Sequence, residues 1–337
     1  MIGSRADIVD RLKPAAAAVV IRLRSLGDTV LTTPALALLK QSRPDLRVYV
    51  VLEPRWAPLL EANPDVEGVI PMTGLWSTAA MLRRLRPELC LNLHGGPSSA
   101  WLTALSGARW RAGFAHFAFQ AAYNVRIPRA QQILGRAENE PVHTAEHLAS
   151  AILYLTADRR PIPGARLFAA AGKPRSPYAV LHLGASSFTK QWPPDRFVEL
   201  AGWLERSQGL TPVILTGGQS GWPEEAARFQ VQDSLPLPDL LSLIQGAELF
   251  VGNDSGPAHV AAAFGVPSVV IFGSSNSLLW RPWNSPHQLV ETRWDCKPCP
   301  GDRCYAFDRP HCILSVQLEG VQQAVLAALA SRPALPA

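Results

Sequence analysis

The chain of 337 residues has no long hydrophobic run, few cysteines and little charge. Near its start the longest apolar run, Ala15 to Ile21, falls far short of the roughly 20 residues that a bilayer-spanning helix needs. Arg5, Asp7, Asp10, Arg11 and Lys13 precede that run and no small-residue cleavage site follows it, so no secretory signal is expected. Charged residues make up only 18%, with a net charge of +5. The basic residues form no tract, which argues against a nucleic-acid groove, while the mild positive balance suits an acidic partner such as a sugar nucleotide or an anionic lipid surface. Five cysteines are too few for a disulfide scaffold of this length. Several nucleotide and hydrolase signatures are missing as well. There is no G-x-x-x-x-G-K-[ST], no G-x-G-x-x-G after the first strand and no G-x-S-x-G elbow, which sets aside P-loop enzymes, nicotinamide dehydrogenases and α/β-hydrolases. No His, Asp and Glu set has the spacing of a catalytic metal site.

What is present is a large apolar fraction, 47%, enough for sizeable cores. At ~150 residues per domain the length predicts two domains. Short β-branched runs alternate with helical patterns, as in βαβ units with a mainly parallel sheet. Strands are predicted at 18–24, 46–52, 66–70 and 89–93, with helices at 29–41, 57–62, 77–86, 98–106 and 143–156. After a Pro-, Gly- and Arg-rich stretch at 158–177, read as a linker, the theme repeats. Strands are predicted at 178–183, 212–216, 249–252 and 268–272, and helices at 195–207, 224–230, 237–245, 257–264 and 316–330. Residues 1–165 and 176–315 are thus expected to form two α/β domains, with 316–337 a terminal helix and tail. In open α/β sheets ligands sit beyond the carboxyl ends of the strands, so the loops there are where chemistry is sought.

Three such loops stand out. In Ser25-Leu26-Gly27-Asp28-Thr29, Gly27 permits a tight turn and Asp28 falls at a helix entrance, either as an N-cap or as a general base. Gly184 to Trp192 offers small residues, the hydroxyls of Ser186, Ser187 and Thr189, and the compact charge of Lys190, a set that suits a diphosphate but also describes a solvated polar loop. In Gly252 to His259, Gly256 and Pro257 open a helix whose free N–H groups form an anion site, with Asp254 and Ser255 on its rim and His259 close behind. A fourth loop, Thr216-Gly217-Gly218 followed by Glu224 and Glu225, offers carboxylates for a ribose or for a helix's first turn. Cys296, Cys299, Cys304 and Cys312 read C-x2-C-x4-C-x7-C, four thiols in 17 residues, consistent with structural zinc, a disulfide or reduced thiols.

These loops resemble those of glycosyltransferase family 9, the ADP-heptose:lipopolysaccharide heptosyltransferases. The stretches that carry the likeness are RLRSLGDTVLTTPAL, LHGGPSSAWLTALSGARWRAGF, HLGASSFTKQWPPDRF and VGNDSGPAHVAAAFGVPSVVIFG, with the HCILS tail. The resemblance implies a GT-B fold of two Rossmann-like domains and an inverting reaction that needs no catalytic metal. It implies Asp28 as base and Lys190 as neutraliser of the leaving diphosphate. It further implies that Ser186, Ser187, Asp254, Ser255, Gly256 and His259 bind the donor, and that Glu224, with Glu225 competing, takes the ribose. The donor would be ADP-heptose and the acceptor a lipid-linked core oligosaccharide, recognised through arginines of the first domain such as Arg55, Arg83, Arg84, Arg109 and Arg111. A cytoplasmic enzyme touching the inner membrane surface is expected, with no nucleic-acid partner. Gln191 stands where arginine is common in the family, and Asn92 where many members have aspartate. The rival readings are another donor or acceptor within the same family, a sugar-nucleotide epimerase, and a non-catalytic nucleotide-sugar-binding protein.

Overall fold

A computed structural model describes residues 7–156, 160–169, 176–218 and 223–331. The chain divides at Phe168–Ala169 into two compact units, inside the stretch read as a linker. Parts of that stretch, 158–159 and 170–175, lie outside the described residues.

The first unit runs β1 (Ala17–Ile21), α1 (Leu26–Val30), α2 (Thr33–Ser42), β2 (Arg47–Leu52), β3 (Gly68–Pro71), α3 (Leu75–Leu85), β4 (Leu89–Asn92), α4 (Pro97–Leu105), β5 (Trp110–Phe114), β6 (Val125–Ile127), α5 (Ala130–Leu134) and α6 (Thr144–Thr156). Its six strands are all parallel, in the order β3-β2-β1-β4-β5-β6. The second unit runs β7 (Tyr178–His182), α7 (Pro194–Trp203), β8 (Thr211–Leu215), β9 (Gln230–Gln232), α8 (Leu237–Gln245), β10 (Leu249–Asn253), α9 (Gly256–Ala263), β11 (Ser268–Phe272), α10 (Ser277–Trp280), β12 (His287–Glu291), α11 (His311–Leu314) and α12 (Leu318–Ala330). Its parallel order, β12-β11-β10-β7-β8-β9, is the same doubly wound order read from the other edge. In each sheet the strand order reverses beside the first strand, between β1 and β4 and between β7 and β10. A crevice opens at such a switch point because successive crossovers leave in opposite directions.

Central strands are buried on both faces, which explains their unbroken apolar runs. Val19, Ile21, Val51, Leu82 and Leu102 form a core cluster under α3 and α4. Leu181, Phe197, Leu200, Val251 and Ile271 do the same in the second unit. That second core also takes Val321, Val325 and Ala328 of α12, so the terminal helix is part of the second unit rather than a separate tail.

The expected helix at 29–41 is instead two helices, α1 and α2. Pro34 lacks an N–H, and the hydroxyls of Thr32 and Thr33 turn back onto the carbonyls of Asp28 and Val30 at 2.8 Å each. The helix expected at 224–230 is a short 3₁₀ turn, Glu224–Arg228, leading directly into β9.

Candidate active site

Each switch point gathers polar side chains from two adjacent strand ends. In the first unit these are the loops after β1 and β4. Ser25, not Asp28, is the N-cap of α1. Asp28 sits three residues on, and its Oδ2 accepts from the Ser25 N–H at 3.3 Å and from the Ser25 hydroxyl at 3.2 Å, as in a capping box. Its Oδ1 pairs with the guanidinium of Arg22, which stands at the end of β1. Arg22 is anchored in turn, donating to the Leu93 carbonyl after β4 at 2.5 Å. The pair is mostly shielded, with 11% of the Arg22 side chain and 23% of the Asp28 side chain exposed. The carboxylate is thus held in one orientation by two rigid loops.

His94 lies beside this pair. Burial, and then the charges of Arg22 and Arg24, push its imidazole below the ordinary value, so it is neutral at pH 7. The fully buried Asn92 fixes the His94 loop. Its Oδ1 accepts from the N–H groups of His94 and Gly95 at 2.9 and 3.1 Å, while its amide donates to Ser99 and Tyr123 at 3.1 and 2.9 Å. Here the amide does what an aspartate cannot, because a carboxylate has no N–H to donate. Next along the edge His147 stacks on Phe114, with ring centroids 4.2 Å apart, and burial holds its pKa at about 4.

In the second unit the loops after β7, β10 and β11 meet. The Lys190 ammonium lies 2.9 Å from Asp254, and the Ser275 hydroxyl donates to the same carboxylate oxygen at 2.5 Å. Ser255 caps α9, with its hydroxyl 3.2 Å from Nδ1 of His182. Asn253 staples the loops: it accepts from the Trp192 N–H at 3.0 Å and donates to the Leu183 carbonyl at 2.8 Å. The approach is so close that a Cβ on Gly273 would stand 2.2 Å from the Thr189 carbonyl oxygen. Gly217, at φ +69°, brings its backbone against Gly184 and His182.

The other predicted residues are placed differently from one another. Ser186 is exposed and Ser187 half-buried on the Lys190 loop, while Gly256 and Pro257 form the first turn of α9. Thr189 is 1% exposed, and its hydroxyl is consumed by Ser274 and the Gly301 carbonyl, so it ties the loop to the cysteine-rich segment rather than facing a ligand. His259 is buried one turn into α9. Glu224 and Glu225 are both exposed.

The arginines expected to meet an acceptor are divided: Arg55 follows the carboxyl end of β2, against the Asp28 helix α1, and the others lie elsewhere in the unit. Arg55 pairs with Glu53 at 2.8 Å and lies over Trp56. Arg109 and Arg111 flank the start of β5, the end opposite to the Asp28 loop. Arg109 lies over Trp110, and Arg111 spends its guanidinium on the carbonyls of Ala108 and Ala122. Arg83 and Arg84 lie in the last turn of α3. The residues that sequence reasoning missed are Arg22, His94, His182 and Ser275. The first three end or follow strands inside the quoted stretches, so position alone marked them.

The cysteines are five free thiols. Cys296 is exposed and Cys312 buried, and among the described residues no three of His, Cys, Asp and Glu converge as metal ligands. The segment therefore offers neither a zinc cage nor a disulfide. It is held by backbone and aromatic contacts, such as the Cys299 N–H on the Ser274 carbonyl at 3.1 Å and the Trp294–His311 stack.

Two doubly wound sheets with polar strand ends are the architecture of the GT-B class, and comparison with known proteins gives the family. The family model for glycosyltransferase family 9 (heptosyltransferase) matches residues 75–306. The chain is 26% identical over 297 residues to lipopolysaccharide heptosyltransferase 3 of Escherichia coli K12, covering 77% of this chain and 83% of that one. Its fold is similar to that of a family 9 glycosyltransferase from Veillonella parvula, with a TM-score of 0.79, 20% identity and coverage of 98% and 100%. It is also similar to that of E. coli heptosyltransferase WaaC solved with ADP-2-deoxy-2-fluoro heptose, with a TM-score of 0.69, 19% identity and coverage of 92% and 99%. The chain belongs to glycosyltransferase family 9 and is an enzyme of the heptosyltransferase type.

Burial makes one part of the site sensitive to acid. Folded His182 takes its proton only near pH 4, whereas an unfolded histidine takes it near 6.5. Acidification through that window therefore favours the unfolded chain. Between pH 7.5 and pH 5 this residue alone should remove about 2 kcal/mol of stability. Urea unfolding of His182→Gln at both pH values should show a correspondingly smaller acid loss than the parent.

Proposed function

We propose that the enzyme transfers a heptose from ADP-heptose to a lipopolysaccharide inner-core acceptor, inverting the anomeric carbon and using no catalytic metal. The observation that carries this reading is the division of chemistry between the units. One holds an oriented carboxylate, Asp28, and the other holds a cation, Lys190, beside the N-terminus of α9. The relatives' names supply the donor and acceptor classes.

In this reading the donor diphosphate lies over the first turn of α9, with the adenine toward Gly217 and Gly218. Lys190 exchanges part of its pairing with Asp254 for phosphate oxygens, and Asp254 keeps its bond from Ser275. As the C1–O bond breaks, its electron pair leaves with ADP, where the α9 N–H groups and Lys190 meet the growing negative charge. The acceptor hydroxyl attacks C1 from the opposite side and passes its proton to Asp28. A carboxylate is a weak base for an alcohol, so the proton moves late, when the oxygen has gained positive character. Arg22 fixes where the Asp28 oxygens point, and a concerted step depends on that orientation. Histidines 94 and 147, neutral at working pH, line the acceptor edge without adding charge. No strongly bound metal is needed because fixed N–H groups and one ammonium take the charge.

Asp28→Ala should lower turnover by about 10²–10⁴-fold while ADP-heptose binding, measured by calorimetry, is kept. Arg22→Gln, which frees the Asp28 carboxylate to swing, should lower kcat by on the order of tenfold with little change in donor binding, and Arg22→Lys should restore it in part. Lys190→Ala should weaken donor binding and turnover together. A panel of nucleotide sugars, followed by transfer to truncated cores in chelator, tests the reading as a whole. An active Asp28→Ala, tighter binding of another nucleotide sugar, or an isomer formed from donor alone would each overturn it.

A further inference from the structure

The whole-chain charge hides a local asymmetry. Residues 68–137 contain eight arginines, no lysine and one acidic residue, Glu88. That stretch carries +7, more than the +5 of the entire chain. Even Glu88 is engaged, accepting from the Lys13 N–H at 2.9 Å and lying 3.5 Å from its ammonium. The stretch includes α3 and α4, two neighbouring helices that cover one face of the first sheet.

Their inner side is ordinary core: Ala79 and Leu82 of α3 and Leu102 of α4 pack on Val19, Ile21 and Val51. Their outer side is not an ordinary solvent face. Trp76 is 74% exposed, Trp101 57% and Met81 42%. On α3, Trp76, Ala80, Arg83 and Arg84 follow at i, i+4, i+7 and i+8, and so line one face. Arg83 reaches across to the Leu105 carbonyl at 2.9 Å, lashing the end of α3 to the end of α4. Arg86 caps α3, and Arg109 follows α4. Large exposed aromatics that serve no core, set among guanidinium groups with no competing carboxylates, fit a surface that offers apolar depth and phosphates together.

We propose that this α3–α4 face docks on an anionic bilayer surface, with Trp76 and Trp101 entering the headgroup layer and Arg84, Arg86 and Arg109 meeting lipid phosphates. The proposed attachment is lateral and reversible; no helix among the described residues is long and apolar enough to cross a membrane. The geometry within the unit gives docking a purpose. Both helices start where β3 and β4 end, the edge that carries His94 and the Asp28 loop, and Trp76 lies in the first turn of α3. Laying this face on a bilayer brings that edge to the plane in which a lipid-linked acceptor is presented. This last step rests on the acceptor proposed above; the docking itself does not.

The test is co-sedimentation of the full chain with phosphatidylcholine vesicles, with and without phosphatidylglycerol, across a salt series. The wild type should bind the anionic vesicles only, and salt should release it. Trp76→Ser/Trp101→Ser should weaken binding several-fold, and Arg84→Gln/Arg109→Gln by on the order of tenfold with a shallower salt dependence. Both double variants should transfer sugar to a delipidated, soluble core at the wild-type rate, which also certifies their folding, and lose rate only on acceptor embedded in vesicles. Wild-type binding that both variants retain would place the contact on another face and overturn the proposal. So would equal binding to neutral vesicles, or binding to single-stranded RNA but to no vesicle. Failure of the wild type to glycosylate any core acceptor would instead overturn the proposed reaction and leave the vesicle result standing.

Discussion

A parallel strand buried on both faces can carry chemistry only where it ends. In both units the central strands are apolar through their middles, so the polar side chains of the candidate site fall on their last residues, as Asn92, His182 and Asn253 do, or in the loops that leave their carboxyl ends. The doubly wound order then brings two of those loops together at a switch point, β1 with β4 and β7 with β10. Arg22 bonding to both Asp28 and the Leu93 carbonyl, and Asn253 bonding to both Trp192 and Leu183, are the local expression of that constraint. Each ties adjacent strand ends into one rigid rim.

The two rims are built on opposite electrostatic plans. In the first, the arginine serves the carboxylate, and the histidines nearby are kept neutral by burial. In the second, the carboxylate of Asp254 serves the lysine and is steadied by Ser275. In the proposed reaction the carboxylate that takes a proton and the cation that takes a phosphate would each arrive already oriented, which is how a fixed site lowers the reorganisation required in the transition state.

Much of this was legible in the sequence. The βα alternation gave the fold class, and the S-L-G-D, F-T-K-Q-W and N-D-S-G-P-A-H stretches located three of the loops. The rest was hidden for physical reasons. β5, β6, β9 and β12 were missed because arginine, glycine, glutamine or glutamate breaks up their apolar runs, so that each strand is specified by its neighbour rather than by its own pattern. Thr189 reads as a ligand hydroxyl until its partner, Gly301, is seen arriving from more than a hundred residues away. The arginines chosen for the acceptor were judged by residue type. Strand direction, which sequence does not display, puts Arg109 and Arg111 at the wrong end of β5. The cysteine spacing left zinc, a disulfide and reduced thiols open, and the fold, which sequence spacing does not display, leaves Cys296 exposed and Cys312 buried as free thiols.

The near-collision of Gly273 with the Thr189 carbonyl, together with the Gly301 and Ser274 links, means that three segments remote in sequence share one interlocked backbone surface. The conformation of the lysine loop is therefore not a modular property of that loop. A chimera that exchanges this loop for a relative's has to transplant all three strips at once to keep their packing.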